Sequence, residues 1–346
     1  MTMTTTRVLV AMSGGVDSSV AAALLRDAGH DVTGVTLKLW GGESDSGCCS
    51  AADVEDARRV AAQLDIPHYV FNLTDDFGTR VVDPYVDAYA DGRTPNPCVE
   101  CNRSIKFGRL LERADALGFD AVATGHHARV HRDSDGRWRL RRGADAAKDQ
   151  SYVLYMLGQA ELARTLLPVG ELTKARVREH ATGLGLRTAT KPESMDVCFI
   201  TRGNREEFVT TRAGARPGPV VDADGAVLGR HDGVTRFTIG QRRGVGVATG
   251  ERRYVVDLDA ATATVTLGRR DDLLRDRAEM RDLCFVDGAP DAGARLDVQV
   301  RAHGTPVPGR LDGTCVHFEQ PQPRVAPGQV VAVYAADTLL GGGLAT

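Results

Sequence analysis

The sequence predicts an α/β protein: an N-terminal doubly wound parallel sheet, then a small β-rich central domain and a C-terminal β-barrel-like domain. Three observations carry this. Strand-like and helical runs alternate through the first 125 residues, and a glycine- and serine-rich loop, "SGGVDSS" (13–19), follows the first apolar run. From about residue 217 short β-rich segments with Gly and Asp turns take over.

Taken in order, "RVLVAM" (7–12) is a short apolar run closed by turn residues, and "SSVAAALLRDAG" (18–29) has helical spacing and a glycine stop. "DVTGVTLKLW" (31–40) is β-branched and strand-like. Residues 50–65 place Val54, Ala57, Val60, Ala61 and Leu64 on one helical face, with Ser50 and Asp53 as a capping pair. "HYVFNL" (68–73) reads as a strand, 104–117 as a helix ending at Gly118, and "DAVATG" (120–125) as a buried strand. Repeated βα units imply a parallel sheet with helices on both faces, and ligands bind such sheets at the carboxyl ends of the strands. Residues 150–185 read as helical. The expected domains are 1–211, 212–270 and 271–346.

With 346 residues, 42% of them hydrophobic and 26% charged, the chain has the composition of a globular protein of two or three domains. No run reaches about 18 consecutive apolar residues, so no membrane span is expected. The N-terminus lacks a secretory pattern, and a cytoplasmic location is the expectation. The net charge of −3 does not announce a nucleic-acid binder. Basic residues do cluster: six arginines fall within 129–142, Arg242, Arg243, Arg252 and Arg253 follow, and Arg269, Arg270, Arg275, Arg277 and Arg281 come after them. Each cluster reads as a phosphate site or as a solvated hairpin or helix face.

The loop at 13–19 sits between strand and helix, where successive backbone amides and the helix start form an anion nest. It lacks the Walker A lysine and the dinucleotide-binding glycine pattern. Asp17 would repel phosphate unless a metal intervened, which points to Mg²⁺. The motif resembles the PP-loop of the ATP pyrophosphatase superfamily. That resemblance implies that the loop holds the pyrophosphate portion of ATP while AMP is attached to a substrate oxygen.

The seven cysteines, Cys48, Cys49, Cys98, Cys101, Cys198, Cys284 and Cys315, are odd in number and irregular in spacing, which argues against a structural disulfide framework. Cys98 and Cys101 form a C-x-x-C whose spacing leaves three readings open: half a zinc site, a redox pair, or one nucleophile. Cys198, beside Phe199, reads alone as a core residue, as do Cys284 and Cys315 in their β-rich contexts. Cys48 and Cys49 adjoin a helix start, and His126 and His127 end a buried strand; both pairs read first as structural.

In combination the segments say more. "SGGVDSS", "TPNPCVECNRSIKFG", "ATGHHARV", "KDQSYVLYML", "KPESMDVCFI" and "GRHDGVTRFTIGQRRGVGV" occur in that order. Together they resemble the tRNA-specific 2-thiouridylase family over nearly the whole chain. The resemblance implies a sulfurtransferase that adenylates the C2 oxygen of the wobble uridine, position 34, in tRNAs for Lys, Glu and Gln. Sulfur from a cysteine persulfide then replaces that oxygen, giving 2-thiouridine, AMP and pyrophosphate. It implies Cys101 as nucleophile and Cys198 as persulfide carrier, with a transient disulfide between them. It implies ATP binding by Ala11, Met12, Ser13, Gly14, Gly15, Val16, Asp17 and Ser18, with Leu37 and Gly125 around the adenosine, and Mg²⁺ arriving with ATP. It implies tRNA contact by Asn96, Pro97 and Cys98, by Lys148, Asp149 and Gln150, and by Arg301 and Ala302. The chain departs from the family pattern at Cys98, commonly not cysteine, and at Ala302, often aromatic. A cysteine desulfurase or sulfur carrier protein is the implied sulfur donor. Two other functions compete: another PP-loop synthetase, which needs no cysteine, and an RNA-binding module holding zinc through Cys98 and Cys101.

Overall fold

The structure, a computed structural model, describes residues 5–40, 50–192, 197–200, 205–248 and 250–346. Cys48 and Cys49 lie outside the described residues. The first strands are β1 (Arg7–Ala11), β2 (Asp31–Lys38), β3 (His68–Asn72) and β4 (Ala121–Ala123), with the hairpin β5 (Ala128–Arg132) and β6 (Trp138–Arg142) before the short β7 (Thr165–Leu166). Five of them form a parallel sheet in the order β3-β2-β1-β4-β7. Val8, Leu9 and Val10 of its central strand are all 0% exposed, as expected of a strand covered on both faces. Helix α1 (Val16–Asp27) buries Val20, Ala21, Ala22 and Ala23 against it. Helix α2 (Ala51–Gln63) starts on Ser50, whose Oγ accepts the Asp53 amide, the expected capping pair.

Two helical expectations need correction. The helix expected at 104–117 begins instead at Pro97, and its middle, Cys101–Arg109, winds as π-helix. Asn96 and Pro97 explain the earlier start: the Asn96 carboxamide accepts the Cys98 amide, and proline at the first helical position loses no bond. Residues 150–185 are mostly not helix. They hold a 3₁₀ turn (Ser151–Leu154), a single helical turn (Gln159–Leu162), β7, and a true helix only at Lys174–Gly183. Gly158, Pro168 and Gly170 punctuate the apolar run, and β7 adds a strand to the sheet.

The later chain is β-rich, as expected. Strands β8 (Gly218–Asp222), β9 (Val227–His231), β10 (Tyr254–Asp259) and β11 (Thr264–Gly268) form a small mixed sheet in the order β10-β11-β8-β9. Strands β12 (Leu274–Phe285), β13 (Arg295–Gln299), β14 (Val307–Asp312), β15 (Cys315–Pro323), β16 (Val330–Ala335) and β17 (Thr338–Ala345) are antiparallel, and β12 pairs with both β15 and β17, closing a six-stranded barrel.

The β5–β6 hairpin leaves the parallel sheet and pairs β6 with β17, so it welds the first domain to the barrel. Part of its arginine cluster serves this weld. Arg129 meets Asp337, Arg139 meets Asp287 and Asp135, and Arg142 meets Asp149. Residues 129–142 thus form a hairpin whose arginines are largely ion-paired. Arg142 Nη1 donates to Asp149 (2.9 Å) and to Gln299 (2.7 Å), and its guanidinium lies 3.7 Å from the Tyr334 ring centroid. Arg142→Met should cost about 3 kcal/mol of unfolding free energy, since the buried Asp149 carboxylate would lose its counter-ion. Urea unfolding measures this, and an unchanged midpoint would refute it.

Candidate functional site

A cavity of about 280 Å³ opens where the carboxyl ends of β1, β2 and β4 meet the helical run Pro97–Ala116. Part of its wall is the phosphate loop. Its backbone depends on two close approaches. Gly14 has φ +71°, and a Cβ there would lie 2.3 Å from the Asp53 carbonyl oxygen. A Cβ on Gly125 would lie 2.6 Å from the Ser18 amide nitrogen, so only glycine lets the end of β4 press against the start of α1. Gly15 caps α1 in extended geometry without a side-chain hydrogen bond, which leaves the first-turn amides to an anion. Ser18 Oγ accepts the Ser13 amide at 3.2 Å and donates to the Gly15 carbonyl at 3.1 Å, holding the loop closed on itself.

Asp17 sits on the cavity wall with two partners far away in sequence. Lys174 Nζ reaches its carboxylate oxygens at 2.7 and 2.6 Å, and His127 Nε2 lies 3.1 Å from Oδ1. Burial works against the carboxylate charge, but the hydrogen bonds from His127 and Lys174 outweigh it and hold the carboxyl below the ordinary aspartate value of 3.8. With the folded value depressed, the stabilisation from this group is complete above the unfolded value and is lost as pH falls through the lowered one. The pair is therefore intact at neutral pH. The lysine absent from the loop is thus supplied by the helix Lys174–Gly183. The phosphate-repelling aspartate of the sequence reading carries its own counter-ion. A second lysine, Lys191, donates to the Gly14 carbonyl at 3.0 Å and to Asp53 and Asp56 at 2.6 and 2.8 Å.

Cys98, Cys101 and Cys198 line the same cavity. Cys101 is 7% exposed and starts the π-helical turn, a winding that recurs at functional sites. Cys98 is exposed and Cys198 intermediate, and none of the described cysteines is disulfide-bonded. Phe199 anchors the Cys198 segment. Its buried ring packs 5.4 Å from Tyr85 and Phe208, 5.7 Å from Phe77 and 6.2 Å from Trp40. Phe199→Ala should cost about 3–5 kcal/mol and lower the yield of any Cys101–Cys198 crosslink. Urea unfolding and thiol mapping read the two effects. A variant of wild-type stability and crosslink yield would exclude the anchor.

The expected nucleotide residues fall together: Ala11, Met12, Ser13, Asp17, Ser18, Leu37 and Gly125 line the cavity, while Gly14, Gly15 and Val16 form the backbone behind them. Pro97, Cys98 and Gln150 line it too, with Asn96 capping the helix behind. Asp149 is different. Its carboxylate is buried and accepts from Gly143 N, Ser151 N, Ser151 Oγ and Arg142, so it shapes the turn between Lys148 and Gln150 from inside. Arg301 is exposed and Ala302 half-buried, in the turn after β13. Gln299 Nε2 donates to both of their carbonyls while its Oε1 accepts from Arg142. The 148–150 and 301–302 segments, from two domains, are therefore joined through one guanidinium.

Lys174, Lys106 and the histidines escaped the sequence reading as site residues. Lys106 lines the cavity. His126 lines it as well, bonded through Nδ1 to Thr124 Oγ1 at 2.6 Å; burial, then the charge of Lys106, pushes its pKa well below the ordinary value, so the ring is neutral. Only "ELTK", a lysine at a helix start, signalled Lys174 in the sequence. Among the described residues no three metal-binding side chains come together.

Three family models match in series: "tRNA methyl transferase HUP domain" over residues 6–202, "tRNA methyl transferase PRC-barrel domain" over 206–269, and "Aminomethyltransferase beta-barrel domain" over 275–345. The chain is 51% identical to the tRNA-specific 2-thiouridylase MnmA of Chloroflexus aggregans, with 97% of each chain covered. It is 48% identical to that of Roseiflexus sp., covering 97% of this chain and 98% of the relative, and 47% identical to that of Moorella thermoacetica, with the same coverage. At that identity over nearly the full length, the chain belongs to the tRNA-specific 2-thiouridylase family.

Proposed function

We propose that the chain is an ATP-dependent tRNA sulfurtransferase that converts the wobble uridine to 2-thiouridine. The observation that carries the reading is one cavity lined by both the phosphate loop and the thiols of Cys101 and Cys198. The family models speak of methyl transfer and the relatives' names of thiolation. Thiols beside an ATP-type loop favour thiolation.

The uracil C2 oxygen is a poor leaving group. It attacks the α-phosphorus of ATP, pyrophosphate departs, and the oxygen becomes part of AMP. The outer sulfur of a Cys198 persulfide attacks C2 and AMP leaves. The Cys101 thiolate then attacks the Cys198 sulfur of the C2–S–S–Cys198 bridge. The S–S bond breaks, sulfur stays on C2, and a Cys101–Cys198 disulfide forms. In the alternative order Cys101 first reduces the persulfide and the released sulfide attacks C2. Both routes balance and end in the same disulfide.

The loop amides, Ser13 and Ser18 would hold the phosphates, and Leu37 and Gly125 would border the adenosine. Mg²⁺ would supply charge neutralisation on the phosphates. Asp17 is an oxygen donor on the cavity wall, but both of its carboxylate oxygens already accept from Lys174 Nζ, so the ion would be carried in by the ATP phosphates rather than held by Asp17. The tRNA loop base would be splayed out of its stack towards Asn96, Pro97 and Cys98. Lys148, Gln150 and Arg301 would meet the backbone, with Asp149 and Ala302 shaping those turns. Exposed arginines at 242, 243, 269, 270, 275 and 277 extend the basic surface. The substrate classes proposed are the tRNAs for Lys, Glu and Gln. The donor is a cysteine desulfurase or sulfur carrier, and the setting is the cytoplasm. Among the described residues no helix is long and apolar enough to cross a membrane.

The test is incubation of the full chain with ATP, Mg²⁺, a persulfide donor and tRNA, followed by mass spectrometry of the digested tRNA. 2-Thiouridine dependent on ATP is the expected result; none from folded protein would overturn the reading.

A further inference from the structure

The segment "KPESMDVCFI" supplies Cys198, but its first residue, Lys191, has no part in the chemistry above. Lys191 Nζ donates to the Gly14 carbonyl at 3.0 Å, to Asp53 at 2.6 Å and to Asp56 at 2.8 Å. Burial works against its charge, but the hydrogen bonds to Asp53 and Asp56 outweigh it and hold the amine above the ordinary lysine value of 10.5. Arg187 also meets Asp56, at 3.2 Å. Two cations thus face two carboxylates, and the cluster offers an anion no surplus charge. None of these four residues lines the cavity, whose loop wall is Ser13, Asp17 and Ser18. What the cluster does hold is a backbone carbonyl. A trans peptide is planar and sets its C=O and N–H on opposite sides. With the Gly14 carbonyl turned out to Lys191, the Gly15 N–H is turned the other way. A Cβ on Gly15 would lie 3.3 Å from the Oγ of cavity-lining Ser13. Among the described residues the Gly15 amide donates to no acceptor, as expected of a group kept for an anion. Two successive glycines also leave this peptide easy to flip, since neither carries a Cβ to resist it.

We propose that Lys191 is a positioning residue for nucleotide binding: it pins the Gly14–Gly15 peptide in the orientation that presents the Gly15 N–H to the phosphates. The inference rests on the proposed ATP site and deepens it. Lys191 acts through the backbone and touches no phosphate itself. Its charge serves to grip a carbonyl and two carboxylates at once, which a neutral side chain of the same length does not do. The loop receives the pyrophosphate portion of ATP, so the effect falls there and not at the adenosine end, which Leu37 and Gly125 would border. The lysine's place in the sequence has a further consequence. Lys191 lies seven residues before Cys198, and its own carbonyl accepts from Arg178 at 3.2 Å. One motif therefore carries both the sulfur-bearing thiol and the pin of the phosphate loop.

The test is titration calorimetry on the full-length chain with magnesium pyrophosphate, magnesium ATP and AMP as separate probes. Lys191→Met is expected to weaken pyrophosphate and ATP by about 10–100-fold, the loss of one hydrogen bond to a charged group, and AMP by less than about twofold. Arg187→Met removes a charge from the same cluster without touching Gly14, and should leave all three affinities unchanged. Loading of Cys198 by inorganic polysulfide should proceed as in the wild type in both variants. If urea unfolding shows Lys191→Met to be unfolded, Lys191→Gln, one atom shorter, takes its place and should weaken pyrophosphate in the same direction. An unchanged pyrophosphate affinity in the folded Lys191 variant overturns the role. So does an equal weakening of AMP, which marks a collapsed site, or an equal effect of Arg187→Met, which marks charge instead of orientation. If the wild type binds neither ATP nor pyrophosphate, the ATP reading itself fails and takes this inference with it.

Discussion

Cys101→Ser and Cys198→Ser are each expected to lower 2-thiouridine formation by on the order of 10³-fold or more, the scale seen when a covalent nucleophile is removed. A serine hydroxyl neither forms a persulfide nor accepts a sulfur bridge at neutral pH, so no partial substitute is available. Both thiols border the same cavity as the phosphate loop. The ATP half of the reaction should therefore separate from the sulfur half: tRNA-dependent pyrophosphate release should survive Cys198→Ser while thiolation disappears. This split distinguishes a sulfurtransferase from a PP-loop synthetase acting on another substrate, which would make its product without either thiol. Full thiolation by either variant would refute the assigned roles.

Lys174→Met should be nearly as damaging, and at the other step. Lys174 neutralises Asp17 through bonds of 2.6 and 2.7 Å, and without it an aspartate held in its charged form by His127 alone would face the incoming phosphates. Loss of a positioned positive charge from a phosphate site typically costs about 10²–10³-fold in rate. Pyrophosphate release should fall by that amount with Cys198 persulfide loading unchanged. Lys174→Arg should recover part of it, because charge is kept while the two-oxygen contact changes shape. An undiminished rate in Lys174→Met would remove the lysine from the site and return the whole task of neutralisation to the metal.

The βα alternation was legible because buried parallel strands are short apolar runs and surface helices carry a 3.6-residue stripe. The loop at 13–19 was legible because an anion nest needs glycine and hydroxyl residues consecutively, so its signature is local. The resemblance of several motifs in one order then linked Cys101 to Cys198, which spacing alone had left with open or structural readings. The stretch 150–185 misled because its apolar residues serve three different contacts, a 3₁₀ turn, an added strand and one helix, and periodicity does not resolve segments that short. The arginines of 129–142 stayed open between a phosphate site and a solvated hairpin because two of their acidic partners, Asp287 and Asp337, lie in another domain.

By itself the sequence determined the alternation of elements, the glycine- and serine-rich loop after the first strand, the change to β structure near residue 217 and which cysteines the family motifs single out. Each is written in neighbouring residues or in a motif. Only the tertiary structure decided that Lys174 answers Asp17, that Arg142 joins the 148–150 turn to the barrel, and that Cys98, Cys101 and Cys198 share one cavity. Those pairings span up to 157 positions. Charge neutralisation and sulfur exchange depend on separations of a few ångströms in space, and chain distance carries no record of them until the sheet and the barrel bring the partners together.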